Sequence, residues 1–341
     1  MRRFWKSLVG VSLASVMVLS GCGSSEDASN GDEGSDGAKK SVTVAINQFV
    51  EHPSLDAATE GFKKALAENG FTEGENLKYI IDNAQADMNN IHTIAKKHVS
   101  EEVDLIFANA TPSAQASLQA VQKAKAEIPV LFTSVTDPVG AGLIEAMDKP
   151  GEWITGTSDT HPDAIPNTIK FIAEQTDAKT VGLIYNPGEQ NSVAQVDIVK
   201  KAMEGTGLKA AEASVATTAD VKQAAESLVG DADVFYIITD NTVVSALESV
   251  IKVAQEEDIP MFAGELDSVN RGAMAAYGFD YGDLGYETGV MAAAILKGEK
   301  KPSDFEAQYP QNLKLVINKT AAKEMGVELK PEWDDMAEYV E

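Results

Sequence analysis

The chain has 341 residues, 44% apolar and 24% charged, which at typical domain sizes of roughly 100–200 residues is enough for two domains with real cores. Its 28 Lys and Arg against 53 Asp and Glu give a formal charge of −25, which excludes a nucleic-acid binder working through a basic patch and argues against charge-driven docking on anionic lipid. A single cysteine excludes an intrachain disulfide and a Cys-cluster metal site.

Arg2, Arg3 and Lys6 open the chain, and an uncharged, mostly apolar run from Ser7 to Ser20 follows. The run is shorter than the roughly 20 residues of a membrane-spanning helix and suits the apolar segment of a signal peptide. It ends in Leu19-Ser20-Gly21-Cys22, which resembles the lipobox of bacterial lipoproteins. That resemblance implies a signal peptide over residues 1–21 and diacylglycerol on Cys22. Residues 23–40 contain no large apolar side chain, so nothing there offsets the entropy of ordering, and residues 22–40 are expected to form a lipidated flexible tether spanning on the order of 25 Å.

From Ser41 onward, short apolar runs alternate with helical stretches. Strands are expected at 41–47, 77–84, 104–110, 129–135, 180–186, 209–215, 233–239, 260–264 and 273–279. Helices are expected at 56–69, 88–102, 112–125, 162–176, 192–207, 221–230, 242–258 and 284–298. Fully apolar strands alternating with helices mean parallel sheets covered on both faces, so the fold class is α/β. The pattern runs twice. AKAEIPVLFTS near residue 130 returns as AQEEDIPMFAG near 260, and VDLIFANATPSA returns as ADVFYIITDNTV. Two such units predict two doubly wound lobes with a cleft between them.

In open α/β sheets ligands bind beyond the carboxyl ends of the strands. The residues there are Asn47 and Gln48, Asn109 to Ser113, Thr133 to Asp137, Tyr185 and Asn186, Thr239 to Thr242, Gly264 and Glu265, and Asp280. They are polar and nearly free of His, Lys, Arg and Cys, a composition that binds but has little for catalysis. Thr111-Pro112-Ser113 opens a helix whose free N–H groups and two hydroxyls suit a carboxylate, and Asp240 opens the equivalent helix of the second unit, where it suits an ammonium. Both serve equally as helix caps, and Asp137 before Pro138 equally as a turn former. His52, His92, His98 and His161 are too scattered for a metal-ligand set and are assigned to surface or capping positions. No GxGxxG, Walker, GxSxG or HExxH motif occurs, and no cofactor is expected.

The segments QFVEHPSLDAATEGF, NAQADMNNIHTIAKK, ANATPSAQ, PVLFTSVTDPVGAGL, ITGTSD, GLIYNPGEQNS, ITDNTVVSA and KGEKKPS together resemble the substrate-binding lipoproteins of ABC importers, in the family that includes tryptophan and other aromatic amino-acid binders. The resemblance covers nearly all of residues 41–331. It implies a type I periplasmic-binding-protein fold with three crossovers, one lobe over 41–157 with 281–299 and the other over 158–280 with 300–341. It places ligand residues at Asn47, Thr111, Ser113, Ser134, Asp137, Tyr185, Asp240, Asn241 and Asp280, with Glu265 beside them. Phe49, Tyr185, Tyr277, Phe279 and Tyr281 are the aromatic side chains near strand ends. The implied ligand is a small zwitterion, an aromatic amino acid such as tryptophan, and the implied partners are an ABC permease, its ATPase and the membrane through the lipid anchor. A nucleoside or sugar ligand in the same role, or a ligand sensor outside transport, are the alternatives.

Overall fold

The computed structural model describes residues 41–341; the expected signal peptide, Cys22 and the expected tether lie outside the described residues. The chain begins with β1 (Val42–Gln48), α1 (Pro53–Glu68), β2 (Leu77–Asn83), α2 (Met88–Ser100), β3 (Leu105–Asn109), α3 (Thr111–Ala124), β4 (Val130–Val135) and β5 (Ile154–Ser158). These strands form a parallel sheet in the order β2-β1-β3-β4-β5. Next come α4 (Ala164–Gln175), β6 (Thr180–Tyr185), α5 (Gln190–Met203), β7 (Lys209–Ser214), α6 (Val221–Ser227), β8 (Val234–Ile237), α7 (Asn241–Ser245), α8 (Leu247–Glu256), β9 (Met261–Ala263), α9 (Leu266–Arg271) and β10 (Ala275–Gly278). After α10 (Tyr281–Leu296), the chain ends with β11 (Lys314–Asn318), α11 (Lys319–Glu324) and β12 (Ala337–Val340). The second sheet runs β12-β11-β10-β9-β8-β6-β7, parallel except where β10 meets β11.

The alternation arises because the central strands are apolar on both faces: every residue of β3, β4 and β8 is buried, and such strands need helices on both sides. Phe62 of α1 stacks on Phe107 of β3 with ring centroids 3.9 Å apart. In the second lobe Phe171 of α4 packs against Trp333, whose Nε1 donates to Gln175 Oε1 at 3.0 Å.

Helix α10 follows a second-lobe strand but packs on α1, β4 and β5 of the first lobe. Glycines set how close it comes. A Cβ at Gly285 would lie 1.8 Å from the Ala58 carbonyl oxygen, and one at Gly61 would lie 2.0 Å from the Gly282 carbonyl oxygen. Larger residues cannot occupy this α1–α10 contact without moving backbone.

Three differences from the sequence reading have physical causes. The helix expected over 242–258 breaks at Ala246 (φ −116°, ψ 25°), which caps α7 and starts α8. Strand β5 was not expected because its letters, Ile-Thr-Gly-Thr-Ser, are polar; all five residues are buried, and Thr157 Oγ1 shares hydrogen bonds with Thr133 Oγ1 at 2.9 Å and Thr288 Oγ1 at 2.8 Å. The segment after α10, assigned to the second lobe from residue 300, stays on the first: Ala307 N donates to Met147 O at 2.7 Å, and Ser158 N donates to Gln308 O at 2.8 Å.

Candidate functional site

Strand ends and helix starts from both lobes enclose a cavity of about 10 Å³, room for one water. The first lobe contributes His52 and Leu55 at the start of α1, Ser134 and Thr136 at the end of β4, and Tyr281, the first residue of α10. Asp159 follows β5 where the chain crosses over. The second lobe contributes Asn191 from α5, Thr239, Asn241 and Val244 around the start of α7, and Glu265 after β9.

Polar bridges join the walls. Ser54 Oγ donates to Glu265 Oε2 at 2.8 Å, and Gln195 Nε2 donates to Thr136 Oγ1 at 3.1 Å while also reaching Thr239 Oγ1. Burial of His52 drives its imidazole pKa down to about 4, so it is neutral near pH 7. Tyr281 donates its hydroxyl to Asp159 Oδ2 at 2.8 Å. Burial raises the pKa of both Asp159 and Glu265 above the ordinary carboxylate range.

Four lining side chains carry a buried polar atom with no partner: His52 Nδ1, Ser134 Oγ, Asp159 Oδ1 and Asn191 Oδ1. Buried polar atoms are normally hydrogen-bonded, so this concentration marks a place built to receive a polar group. Ser134 is also held at φ 55°, and Ala110, at the end of β3, at φ 88°. Such left-handed non-glycine backbone costs on the order of 1–3 kcal/mol and concentrates at functional sites.

Of the residues expected from sequence, Ser134, Asn241 and Glu265 line this cavity. Thr111 and Ser113 are buried in the first turn of α3 with unpartnered hydroxyls, but outside its lining. Asn47 lies inside the first lobe, its Nδ2 donating to Ser117 Oγ at 3.0 Å. Asp137 is a turn former, its Oδ1 accepting from Gly140 N at 2.7 Å. Tyr185 sits on the β6–β7 pair, donating to Glu212 Oε2 at 3.1 Å, and Asp280 is an exposed cap of α10 that accepts from Gly282 N at 2.6 Å. Asp240 is buried but committed within the second lobe, its carboxylate accepting from Val243 N at 2.8 Å, Asn186 N at 2.6 Å and Ser192 Oγ at 2.7 Å. With those bonds made, Asp240 does not present itself to an ammonium, and the acids at the cavity are Asp159 and Glu265.

Of the five aromatic candidates only Tyr281 lines the cavity; Phe49 and Tyr277 pack into the lobe cores, and Phe279 stacks on Tyr281 at 5.5 Å. Sequence reasoning passed over Asp159, Asn191 and the cavity role of His52. Reading ITGTS as a strand would have exposed Asp159 as the residue after a strand end. His98, assigned to a surface or cap position, is instead fully buried, with Nε2 2.8 Å from Asp82 Oδ2.

Residues 43–340 match the family described as ABC transporter substrate binding protein. The chain belongs to that family. It is 40% identical over 325 residues, 94% of this chain and 92% of the relative, to the tyrosine-binding protein of Clostridioides difficile. Among solved structures it resembles an ABC domain in complex with L-Trp from Streptococcus pneumoniae, with 31% identity, a TM-score of 0.82, and 89% and 100% of the two chains covered. It also resembles the ligand-free, open structure of a substrate-binding protein with adhesive properties from Clostridium difficile, with 42% identity, a TM-score of 0.63, and 88% and 99% covered. The fold is that of the type I periplasmic-binding proteins.

Proposed function

We propose that this substrate-binding protein is a non-enzymatic receptor of an ABC importer, tethered outside the membrane by lipid on Cys22, that closes on an aromatic L-amino acid such as tyrosine or tryptophan and delivers it to a permease and its ATPase. The observation that carries this reading is the interlobe cavity, where unpartnered acceptors surround the buried carboxyl of Asp159. The tyrosine-binding relative and the L-Trp complex supply the aromatic part. The better overlay on the L-Trp complex than on the open structure, despite lower identity, supports lobes in a closed arrangement. A cavity of about 10 Å³ is too small for an amino acid, so the lobes must part to admit one, as hinged binding domains do.

Titration calorimetry of the mature protein with L-tyrosine, L-tryptophan, L-phenylalanine, L-leucine, a hexose and a purine nucleoside tests the ligand. Binding of the aromatic amino acids at least about tenfold tighter than L-leucine, with no heat from hexose or nucleoside, is expected. Heat from the nucleoside or sugar alone would show the ligand class to be wrong. For the anchor, Cys22→Ser is expected to move the protein from the membrane fraction to the medium or periplasm, because it removes the acyl chains whose burial holds a lipoprotein to the bilayer. Persistence of the variant in washed membranes would defeat the lipoprotein reading.

A further inference from the structure

We propose that Asp159 is the gate of closure: its negative charge opposes the joining of the lobes until a primary ammonium on the ligand neutralises it. This rests on reading the cavity as an amino-acid site and adds what licenses it to shut.

The groups facing Asp159 supply no positive charge. Tyr281 of α10 donates its hydroxyl to it, Thr136 after β4 is uncharged, and His52 at the start of α1 is neutral near pH 7. Across the cleft the titratable groups are Glu265 and Asp267, both acidic. The nearby guanidinium, Arg271, is committed to Glu248 at 2.8 and 2.9 Å and to the Val244 carbonyl at 2.8 Å. A carboxylate carried from water into such surroundings loses its hydration without gaining a countercharge, and that cost falls on the closed state.

The unpartnered atoms say what would remove the cost. Asp159 Oδ1, Asn191 Oδ1, Ser134 Oγ and His52 Nδ1 can all accept, and a primary ammonium brings three N–H donors and one positive charge. Glu265 is a poorer partner, because its oxygens already accept from Ser54 Oγ and from the N–H and hydroxyl of Ser268. A ligand without the amine leaves the charge uncompensated. A proton on Asp159 removes the charge as an ammonium does, so acid should let the unliganded lobes close, and the raised pKa of the buried carboxyl has the sign this requires.

Small-angle scattering of the mature protein separates the possibilities. Unliganded wild type at pH 7.5 is expected to contract with saturating L-tyrosine but not with 3-(4-hydroxyphenyl)propanoate, the same molecule without its amine. Unliganded Asp159→Asn is expected to show the contracted radius at pH 7.5, and unliganded wild type to approach it as the pH is lowered to 5. An unliganded Asp159→Asn as expanded as wild type, or full contraction by the deaminated acid, overturns the gate. If the variant fails to fold, as thermal unfolding would reveal, the wild-type pH series decides, and an unchanging radius from pH 7.5 to 5 overturns the proposal. Failure of L-tyrosine and L-tryptophan to bind wild type would instead count against the aromatic amino-acid reading, while the ligand-free comparisons still judge Asp159.

Discussion

Replacing Gly285 with alanine is expected to destabilise the protein by about 3 kcal/mol, near the upper end for overpacked interiors. The added methyl would sit 1.8 Å from the Ala58 carbonyl oxygen and 2.5 Å from its carbon. These are backbone atoms of α1 and cannot rotate aside, so α10 must slide or lift. That shift would disturb the first-lobe core, where Met291, Ala292 and Ala293 pack with Phe62 and Phe107. It would also displace Tyr281, at the start of the same helix, and with it the hydrogen bond to Asp159. At a few degrees per kcal/mol for lobes of this size, the melting temperature should fall by roughly 6–12 °C. Val290→Ala, at a position on α10 that is 42% exposed, should stay within about 0.5 kcal/mol of wild type. A Gly285→Ala loss no larger than that of Val290→Ala would show that the α1–α10 contact is not close-packed.

The second large effect concerns Asp240. Its carboxyl pKa is pushed up from an ordinary 3.8 to about 8, first by burial and then by the neighbouring Glu189 carboxylate, which accepts from Asn241 Nδ2 at 2.6 Å and Thr242 Oγ1 at 2.7 Å. A group whose value is raised on folding gives stability that is fully present below its unfolded pKa and is lost as pH rises through the folded one. Wild type should therefore lose stability through Asp240 as pH climbs from about 4 to 8, by up to roughly 1.4 kcal/mol per pH unit. Asp240→Asn keeps the shape and cannot ionise, so it should lack this loss. At pH 4 it should be less stable than wild type, since an amide cannot accept from Val243 N, Asn186 N and Ser192 Oγ as a carboxyl does. The deficit should shrink as pH rises and turn to a gain near pH 8. Urea unfolding of both proteins at several pH values checks this, and parallel stability curves would contradict it. Ligand affinity should stay within about threefold at neutral pH, because the side chain faces its own lobe.

The α/β architecture was legible because β3 and β4 are buried on both faces and so carry apolar runs, Leu105 to Ala108 and Val130 to Phe132. Strand β5 was not, because its interior is held by threonine hydroxyls that pair with one another and look, letter by letter, like a loop. The same omission hid Asp159. Ser134, Asn241 and Glu265 could be found by the rule that ligands gather at strand ends. Asp240 satisfied that rule too, yet its direction depends on Asn186 and Ser192, 54 and 48 residues earlier in sequence. Local pattern can identify a helix cap, but not which neighbours will claim its second oxygen.

Helix α10 lies against α1 although more than 200 residues separate Ala58 from Gly285. Emerging from the ribosome, the first lobe has its five strands by Ser158, yet lacks the helix that covers Phe62 and Phe107 until Leu296 has been made. Its core therefore stays incomplete through the synthesis of nearly the whole second lobe. Contacts so distant in sequence close slowly, because a long loop must lose its freedom before they form. The second sheet receives β6 to β10 in one continuous stretch, but its β11 and β12 follow only after α10. Neither lobe is therefore complete when its own stretch of chain has been made: the first waits for α10, and the second waits longer still, for β11, Trp333 and β12.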